Sequence, residues 1–208
     1  MVALWFYPDD AARPAALEKM KKILWFACCL LLSGHANALE VVGIQLPDTA
    51  QVGNATLQLN GAGLHSKFIF KTHVYIAALY VPQKQTSASA IIIDDHERRM
   101  ELYILHESSS KKLLKSFDEV IEANHTPVEL RLMDRQLKQM AQIFDVVGEV
   151  KTGDVLTLDY LPLYGTQISV NGKAWGTIAG VEFNRALLRI WLGDKPVQDG
   201  LKKNLLGG

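Results

Sequence analysis

The sequence predicts an α+β fold in which a large antiparallel sheet is backed by a layer of helices. Apolar residues alternate with a period of two through residues 67–81 and 98–106, which is typical of strands. From residue 113 to residue 144 they recur at helical spacing, and both patterns return between residues 155 and 192. Grouped strands and grouped helices, rather than strict alternation of the two, favour an antiparallel sheet with its helices on one side.

The N-terminal region has the pattern of a signal peptide. Met20-Lys21-Lys22 is positively charged, residues 23–32 form an unbroken apolar run, and Ala36-Asn37-Ala38 has the small residues that signal peptidase requires. The apolar run is too short for a membrane-spanning helix, which needs about 20 residues. We therefore predict cleavage near Ala38, a mature protein without a membrane span, and a periplasmic or secreted location.

Residues 1–19 do not fit ahead of a signal peptide that spans residues 20–38. They carry Asp9, Asp10 and Glu18, whereas a signal peptide begins with positive charge. We interpret this stretch as a gene-model extension and Met20 as the true start. Residues 39–208 contain no repeat, low-complexity tract or linker, so we expect them to form one domain.

Composition narrows the classes of function. The chain has 22 Lys and Arg residues and 22 Asp and Glu residues, so it has no excess of positive charge. The composition therefore does not predict a nucleic-acid partner. Both cysteines, Cys28 and Cys29, lie in the apolar run and would leave with the signal peptide. The mature protein would then have no disulfide, no thiol nucleophile and no cysteine metal site. The sequence predicts no cofactor.

The first half of the mature chain is predicted to form strands. Short strands are expected at residues 40–46 and 56–60, and a long strand at residues 67–81. Gly61-Ala62-Gly63 is expected to lie between the second and third of these strands. Another alternating strand follows at residues 98–106.

Two predicted helices follow. An apolar stripe indicates a helix from about residue 113 that stops before Pro127. Thr126 and Glu129 have the spacing of a capping box for the next helix, whose stripe continues to Phe144.

The chain then returns to strands, at residues 155–161, 167–170 and 173–178. Asn171-Gly172 joins the last two and is well suited to a two-residue hairpin turn. A helix at residues 181–192 and a shorter helix from Asp194 onwards complete the predicted elements.

Several short motifs carry a family resemblance. They are Asn60-Gly61-Ala62-Gly63-Leu64, Lys67-Phe68-Ile69-Phe70-Lys71, Tyr75-Ile76-Ala77-Ala78-Leu79-Tyr80, Leu158-Asp159-Tyr160-Leu161-Pro162, Ser169-Val170-Asn171-Gly172-Lys173 and Ala186-Leu187-Leu188-Arg189-Ile190-Trp191-Leu192-Gly193-Asp194. In this order they resemble the chalcone isomerase-like family, and specifically its exported bacterial branch. The resemblance implies an open-faced β-sandwich with a ligand cleft between the large sheet and the helices.

The resemblance implies less about activity. In the plant enzymes of the family an arginine, a threonine, a tyrosine and an asparagine serve the isomerase reaction. By position these fall on or near His65, Tyr75, Ser109 and Ser116, so none of the four is kept. The reaction needs a permanent cation beside the developing anion, whereas histidine is neutral for much of the time at pH 7. The fold and the cleft are therefore implied without isomerase activity.

Other relatives with this fold bind fatty acids without catalysis and hold the carboxylate with an arginine and a tyrosine. The resemblance implies a small amphipathic ligand here, in an apolar cleft with polar groups at its mouth. The alternatives are that His65 is a solvated turn residue and that Tyr75 is a packed core aromatic. The ligand-binding candidates are His65, Lys67 or Lys71, Tyr75 or Tyr103, and Ser109.

Metal binding and serine catalysis are disfavoured. The histidines are scattered among different predicted elements, whereas a zinc site needs several ligands close together. Ser108-Ser109-Ser110 lacks the glycine-flanked turn of a serine hydrolase, and a serine before a helix is typical of an N-cap. We predict no metal site.

The leading functional prediction is an exported, non-catalytic protein that binds a small amphipathic ligand such as a fatty acid. Two alternatives stay open. One is an isomerase or lyase acting on an unsaturated carbonyl compound, with Tyr75 or His65 as acid or base. The other is a protein-interaction or envelope-stress role in which the cleft is vestigial.

Overall fold

The computed structural model describes residues 39–67 and 72–208. The first elements are β1 (Leu39–Val41), β2 (Ile44–Leu46), β3 (Thr49–Val52), β4 (Ala55–Lys67), β5 (Thr72–Val81), α1 (Ala88–Ile93) and β6 (Arg98–Ile104). The middle of the chain forms β7 (Ser108–Ser109), α2 (Ser110–Asn124), α3 (Pro127–Leu132), α4 (Asp134–Val147) and β8 (Glu149–Val150). The last elements are β9 (Val155–Leu161), β10 (Gly165–Val170), β11 (Lys173–Ile178), α5 (Val181–Leu192) and α6 (Asp199–Leu205).

Seven of these strands form one antiparallel sheet in the order β11-β10-β9-β6-β5-β4-β3. β6 pairs with β5 on one side and with β9 on the other, so α2, α3 and α4 are inserted in the chain between two central neighbours. β1 pairs with β2, and β7 with β8, outside this sheet. The predicted α+β fold, with a large antiparallel sheet and associated helices, is confirmed.

The two faces of the sheet carry separate apolar clusters. On β5, Ala77 and Leu79 belong to the cluster that also contains buried residues of α2 and α5, which defines the helix face. Ile76, Ala78 and Tyr80 belong to the other cluster, together with residues of β2, β3 and β4. Because successive side chains of a strand point to opposite faces, the same strand serves both clusters.

The prediction that Gly61-Ala62-Gly63 lies between two strands is wrong. These residues are inside β4, which continues to Lys67, and they pair with Leu79, Ala78 and Ala77 of β5. A Cβ atom at Gly61 would collide with the backbone carbonyl of Asn204, and one at Gly63 would lie 2.8 Å from Asn204 Cβ. The glycines therefore allow α6 to pack directly on the strand.

The helical layer differs from the prediction at two places. The apolar stripe that was expected to form one helix through Phe144 is divided, because α3 ends at Leu132 and α4 begins at Asp134. The helix α1 was not predicted, and the final helix begins at Asp199 rather than at Asp194. The capping box is confirmed, since Thr126 Oγ1 accepts from Glu129 N at 3.3 Å and Thr126 N donates to the Glu129 carboxylate at 2.7 Å.

The hairpin prediction at Asn171-Gly172 is also confirmed. Both residues have positive φ, 51° and 74°, as the favoured two-residue turn requires. The Asn171 side chain accepts from Val155 N at 2.9 Å and thereby ties the turn to the start of β9. In the described part of the chain, no helix combines the length and the apolar character needed to cross a membrane.

Candidate functional site

A cavity of about 170 Å³ lies between the sheet and the helices. The sheet contributes Leu102, Leu156 and Ile168, which are side chains of β6, β9 and β10 on the helix face. The helices contribute apolar side chains from α2, α4 and α5, among them Phe117, Phe144 and Trp191. The stripes that predicted these helices from the sequence are the surfaces that close the cavity.

The polar lining residues lie among these apolar ones, and several of them are exposed to solvent. Lys67, His106, Lys112 and Ser116 are exposed and Ser108 is half-buried, so these five side chains define the mouth of the cavity. Among the lining residues that the structure describes, none is Asp or Glu. A negatively charged group of a ligand at the mouth would therefore lie near lysine ammonium groups and serine hydroxyls, and no described lining carboxylate would repel it.

His65 is a half-buried residue of β4 that lies further into the cavity than Lys67. Its ring is held in position by Gln198. The Gln198 Oε1 atom accepts from Ser66 N at 3.2 Å and contacts His65 Nδ1 at 3.1 Å. Since this oxygen is an acceptor, Nδ1 carries the proton, and Nε2 of the neutral ring is an acceptor. Burial lowers the pKa of His65, the Gln198 bond opposes that shift, and the charge of Lys67 lowers the pKa further.

Tyr75 lies opposite His65 on β5, with the two ring centroids 4.8 Å apart. Its hydroxyl oxygen accepts a hydrogen bond from Trp191 Nε1 at 3.1 Å. Burial raises the pKa of Tyr75, and the bond from Trp191 opposes this rise. The Tyr75 hydroxyl is therefore a neutral donor, and its proton has no acceptor among the residues that the structure describes.

A bulge gives the cavity two further lining residues. His65 pairs with Tyr75 but Ser66 pairs with His73, which leaves Val74 as an extra residue on β5. The Val74 carbonyl accepts from both Leu105 N at 2.9 Å and His106 N at 3.2 Å. Bulges redirect side chains, and here Val74 and His106 both line the cavity.

The structure brings together some of the predicted site residues and separates others. His65 and Tyr75 line the cavity, as does Lys67, and His65 is a strand residue rather than part of a turn. Leu102 and Ile104 face the cavity, so Tyr103, which lies between them on β6, faces the opposite side of the sheet. There its hydroxyl donates to Glu101 Oε2 at 2.9 Å.

Two other candidates do not contribute to the described lining. Ser109 is exposed at the N-cap position of α2 and makes no side-chain capping bond, while its neighbour Ser108 lines the mouth. Lys71 lies outside the described residues. Sequence reasoning missed His106 and Lys112, since neither belongs to a motif and each reaches the mouth through tertiary contacts.

Within residues 39–67 and 72–208, no three His, Cys, Asp or Glu side chains are grouped as metal ligands would be.

Comparisons with known proteins agree with this architecture. A family model described as chalcone isomerase-like matches residues 38–207. A crystal structure of a fatty-acid binding protein from Arabidopsis thaliana superposes with a TM-score of 0.64 and 16% sequence identity, and the match covers 82% of this chain and 96% of the plant chain. No curated protein matches the sequence.

Proposed function

The chain belongs to the chalcone isomerase-like family, and we propose that its cavity binds a small amphipathic acid, such as a fatty acid, without converting it. The observation that carries this proposal is that the cavity lining is apolar in the interior and polar at the mouth. Apolar side chains surround the interior, while Lys67, His106 and Lys112 are at the mouth and no described lining residue is acidic. An apolar chain fits the first region and a carboxylate fits the second.

The size of the cavity sets the scale of the ligand. About 170 Å³ is close to the roughly 150 Å³ of an engineered protein cavity that binds benzene. A ring or a short acyl chain fits this volume, and a longer chain would need the helices to separate or would extend through the mouth. The fold similarity to a plant fatty-acid binding protein supports an acyl ligand.

The inner polar residues favour binding over catalysis. Gln198 fixes the orientation of the His65 ring, and burial disfavours the charged form of that ring. Burial likewise keeps the Tyr75 hydroxyl protonated. A reaction through an anionic intermediate needs a fixed cation at the developing charge, and the inner pair offers none. The open cavity also favours a bound ligand over a vestigial cleft.

Export is the second part of the proposal. Cleavage near Ala38 would remove none of the described elements, because β1 begins at Leu39. We expect N-terminal sequencing of the mature protein from the envelope fraction to begin near Leu39. A protein recovered from the cytoplasm with residues 20–38 intact would contradict export and leave the binding proposal standing.

Native mass spectrometry of the protein purified from its own envelope fraction tests the binding proposal. We expect an adduct that denaturing extraction identifies as a small acid with an apolar chain. The variant Leu156→Trp places a larger side chain in the cavity and should abolish this adduct. Val128→Trp, at an exposed position of α3, is the matched control and should retain it. Equal adducts in both variants would place the ligand outside the cavity.

A further inference from the structure

The polar groups of the cavity lie at two levels. The mouth carries cations that contact solvent, whereas His65 and Tyr75 lie further in and pair across β4 and β5. Lys67 is two residues beyond His65 along β4, a distance of roughly 7 Å along a strand. A ligand that enters with its acid group at the mouth therefore presents its chain to the inner pair.

The inner pair has one unused donor and one unused acceptor. Trp191 donates to the Tyr75 oxygen, so the Tyr75 proton remains available to a ligand. Gln198 receives the Nδ1 proton of His65, so Nε2 remains available as an acceptor in the described structure. An unsubstituted alkyl chain would cover both groups without bonding either, which weakens its binding.

A carboxylate does not complement this pair. It has acceptors but no donor, so it could bond Tyr75 and would leave His65 Nε2 without a proton. The titratable side chains that line the cavity are His65, Lys67, Tyr75, His106 and Lys112. The lysines at the mouth favour the ionised form of an acid group, which keeps that group at the mouth.

Building on the proposed function, we infer that the ligand is a hydroxylated acid whose chain carries a hydroxyl group near its acid end. The hydroxyl accepts from Tyr75 and donates to His65 Nε2, so a single oxygen uses both groups. The distance from Lys67 to His65 allows for a few carbon atoms between the carboxylate and the hydroxyl. A site that bonds a ligand hydroxyl discriminates against the analogue that lacks it.

Isothermal titration of the purified protein with octanoic acid, 3-hydroxyoctanoic acid and 5-hydroxyoctanoic acid tests this inference. We expect at least one hydroxy acid to bind about tenfold or more tightly than octanoic acid, because two hydrogen bonds are added. Tyr75→Phe should remove most of this preference while octanoic acid still binds. Tyr164→Phe changes an exposed tyrosine in the turn between β9 and β10 and is the matched control.

The outcomes separate the inference from the proposed function. Equal affinity for octanoic acid and both hydroxy acids would overturn the hydroxyl assignment and leave acid binding intact. A preference for hydroxy acids that persists in both Tyr75→Phe and His65→Leu would also overturn the hydroxyl assignment, because neither inner residue would then be binding the ligand hydroxyl. Binding of none of the three acids would contradict the proposed function itself. If Tyr75→Phe fails to fold, His65→Leu and the selectivity of the unmodified protein decide.

Discussion

The polar side chains beside the cavity and those on the opposite face of the sheet use their hydrogen-bonding groups in different ways. On the face opposite the helices, the Arg99 guanidinium bonds the Asp159 carboxylate at 2.6 and 2.8 Å and the Gln51 carbonyl at 3.3 Å. Tyr103 bonds Glu101 on the same face. On the helix face, His65 and Tyr75 keep hydrogen-bonding capacity that no described residue uses.

This difference indicates which polar groups hold the fold together and which are available to a ligand. A buried charge without its partner is costly, so Arg99, Glu101 and Asp159 stabilise one another. One hydroxyl departs from this pattern, because Tyr80 is fully buried beside them and its hydroxyl has no partner in the described structure. Burial and the charge of Glu101 raise the pKa of Tyr80, so that hydroxyl stays neutral.

The largest effect is expected from breaking the charged cluster. Arg99→Met would leave the Asp159 and Glu101 carboxylates buried without their cation, and we expect a loss of about 3 kcal/mol in the free energy of unfolding. Urea denaturation measures this loss. The affinity for the acid ligand should be unchanged, because Arg99 faces away from the cavity. A variant of unchanged stability that lost its ligand would reverse our assignment of the two faces.

A smaller loss is expected from Tyr75→Phe. The variant removes the acceptor of Trp191 Nε1, which is buried in α5, and should cost about 1 kcal/mol of unfolding free energy. Thermal melting followed by circular dichroism measures it, with Tyr164→Phe as the control. Equal melting temperatures for the two variants would show that the bond between Trp191 and Tyr75 contributes little to stability.

The smallest effect concerns pH. Because folding lowers the pKa of His65, the unfolded chain takes up a proton more readily than the folded protein as the pH falls. The contribution of neutral His65 is fully present above its ordinary pKa of about 6.5 and is lost as the pH falls below it. We expect His65→Gln to reduce the fall in melting temperature between about pH 7.5 and about pH 5.5.

The control for this prediction is His73→Gln, which changes an exposed histidine of β5. It should follow the pH dependence of the unmodified protein. If His65→Gln and His73→Gln changed the pH dependence equally, burial of His65 would not be the cause.

Local patterns predicted those elements whose cause is local. The capping box at Thr126 and the turn at Asn171-Gly172 depend on a few adjacent residues, and both form as expected. The division between α3 and α4 was not predictable in this way, because the apolar stripe continues across Met133 while the backbone does not. Gly61 and Gly63 were misassigned since their requirement comes from α6, which is more than a hundred residues away.

The candidate site shows the same limit. The alternation of side chains placed Tyr75 on a defined face of β5, and the family resemblance led to His65. Both residues could therefore be predicted from the sequence. Tyr103 was a candidate polar group for the mouth of the cleft, yet its position in β6 turns it towards Glu101 on the other face. His106 lies at the mouth because its backbone bonds the β-bulge at Val74, and no short sequence motif predicts that bulge.

The sequence by itself determined the α+β class, the antiparallel strands with their two faces, and the amphipathic helices that cover one of them. These follow from the spacing of apolar side chains and from capping and turn residues, which act over a few positions. The tertiary structure alone decided which face would be covered by helices and which polar side chains would meet at the mouth. Lys67, His106 and Lys112 come from separate parts of the chain, and they share a surface because long-range packing places β4, the connection after β6 and α2 at one end of the cavity.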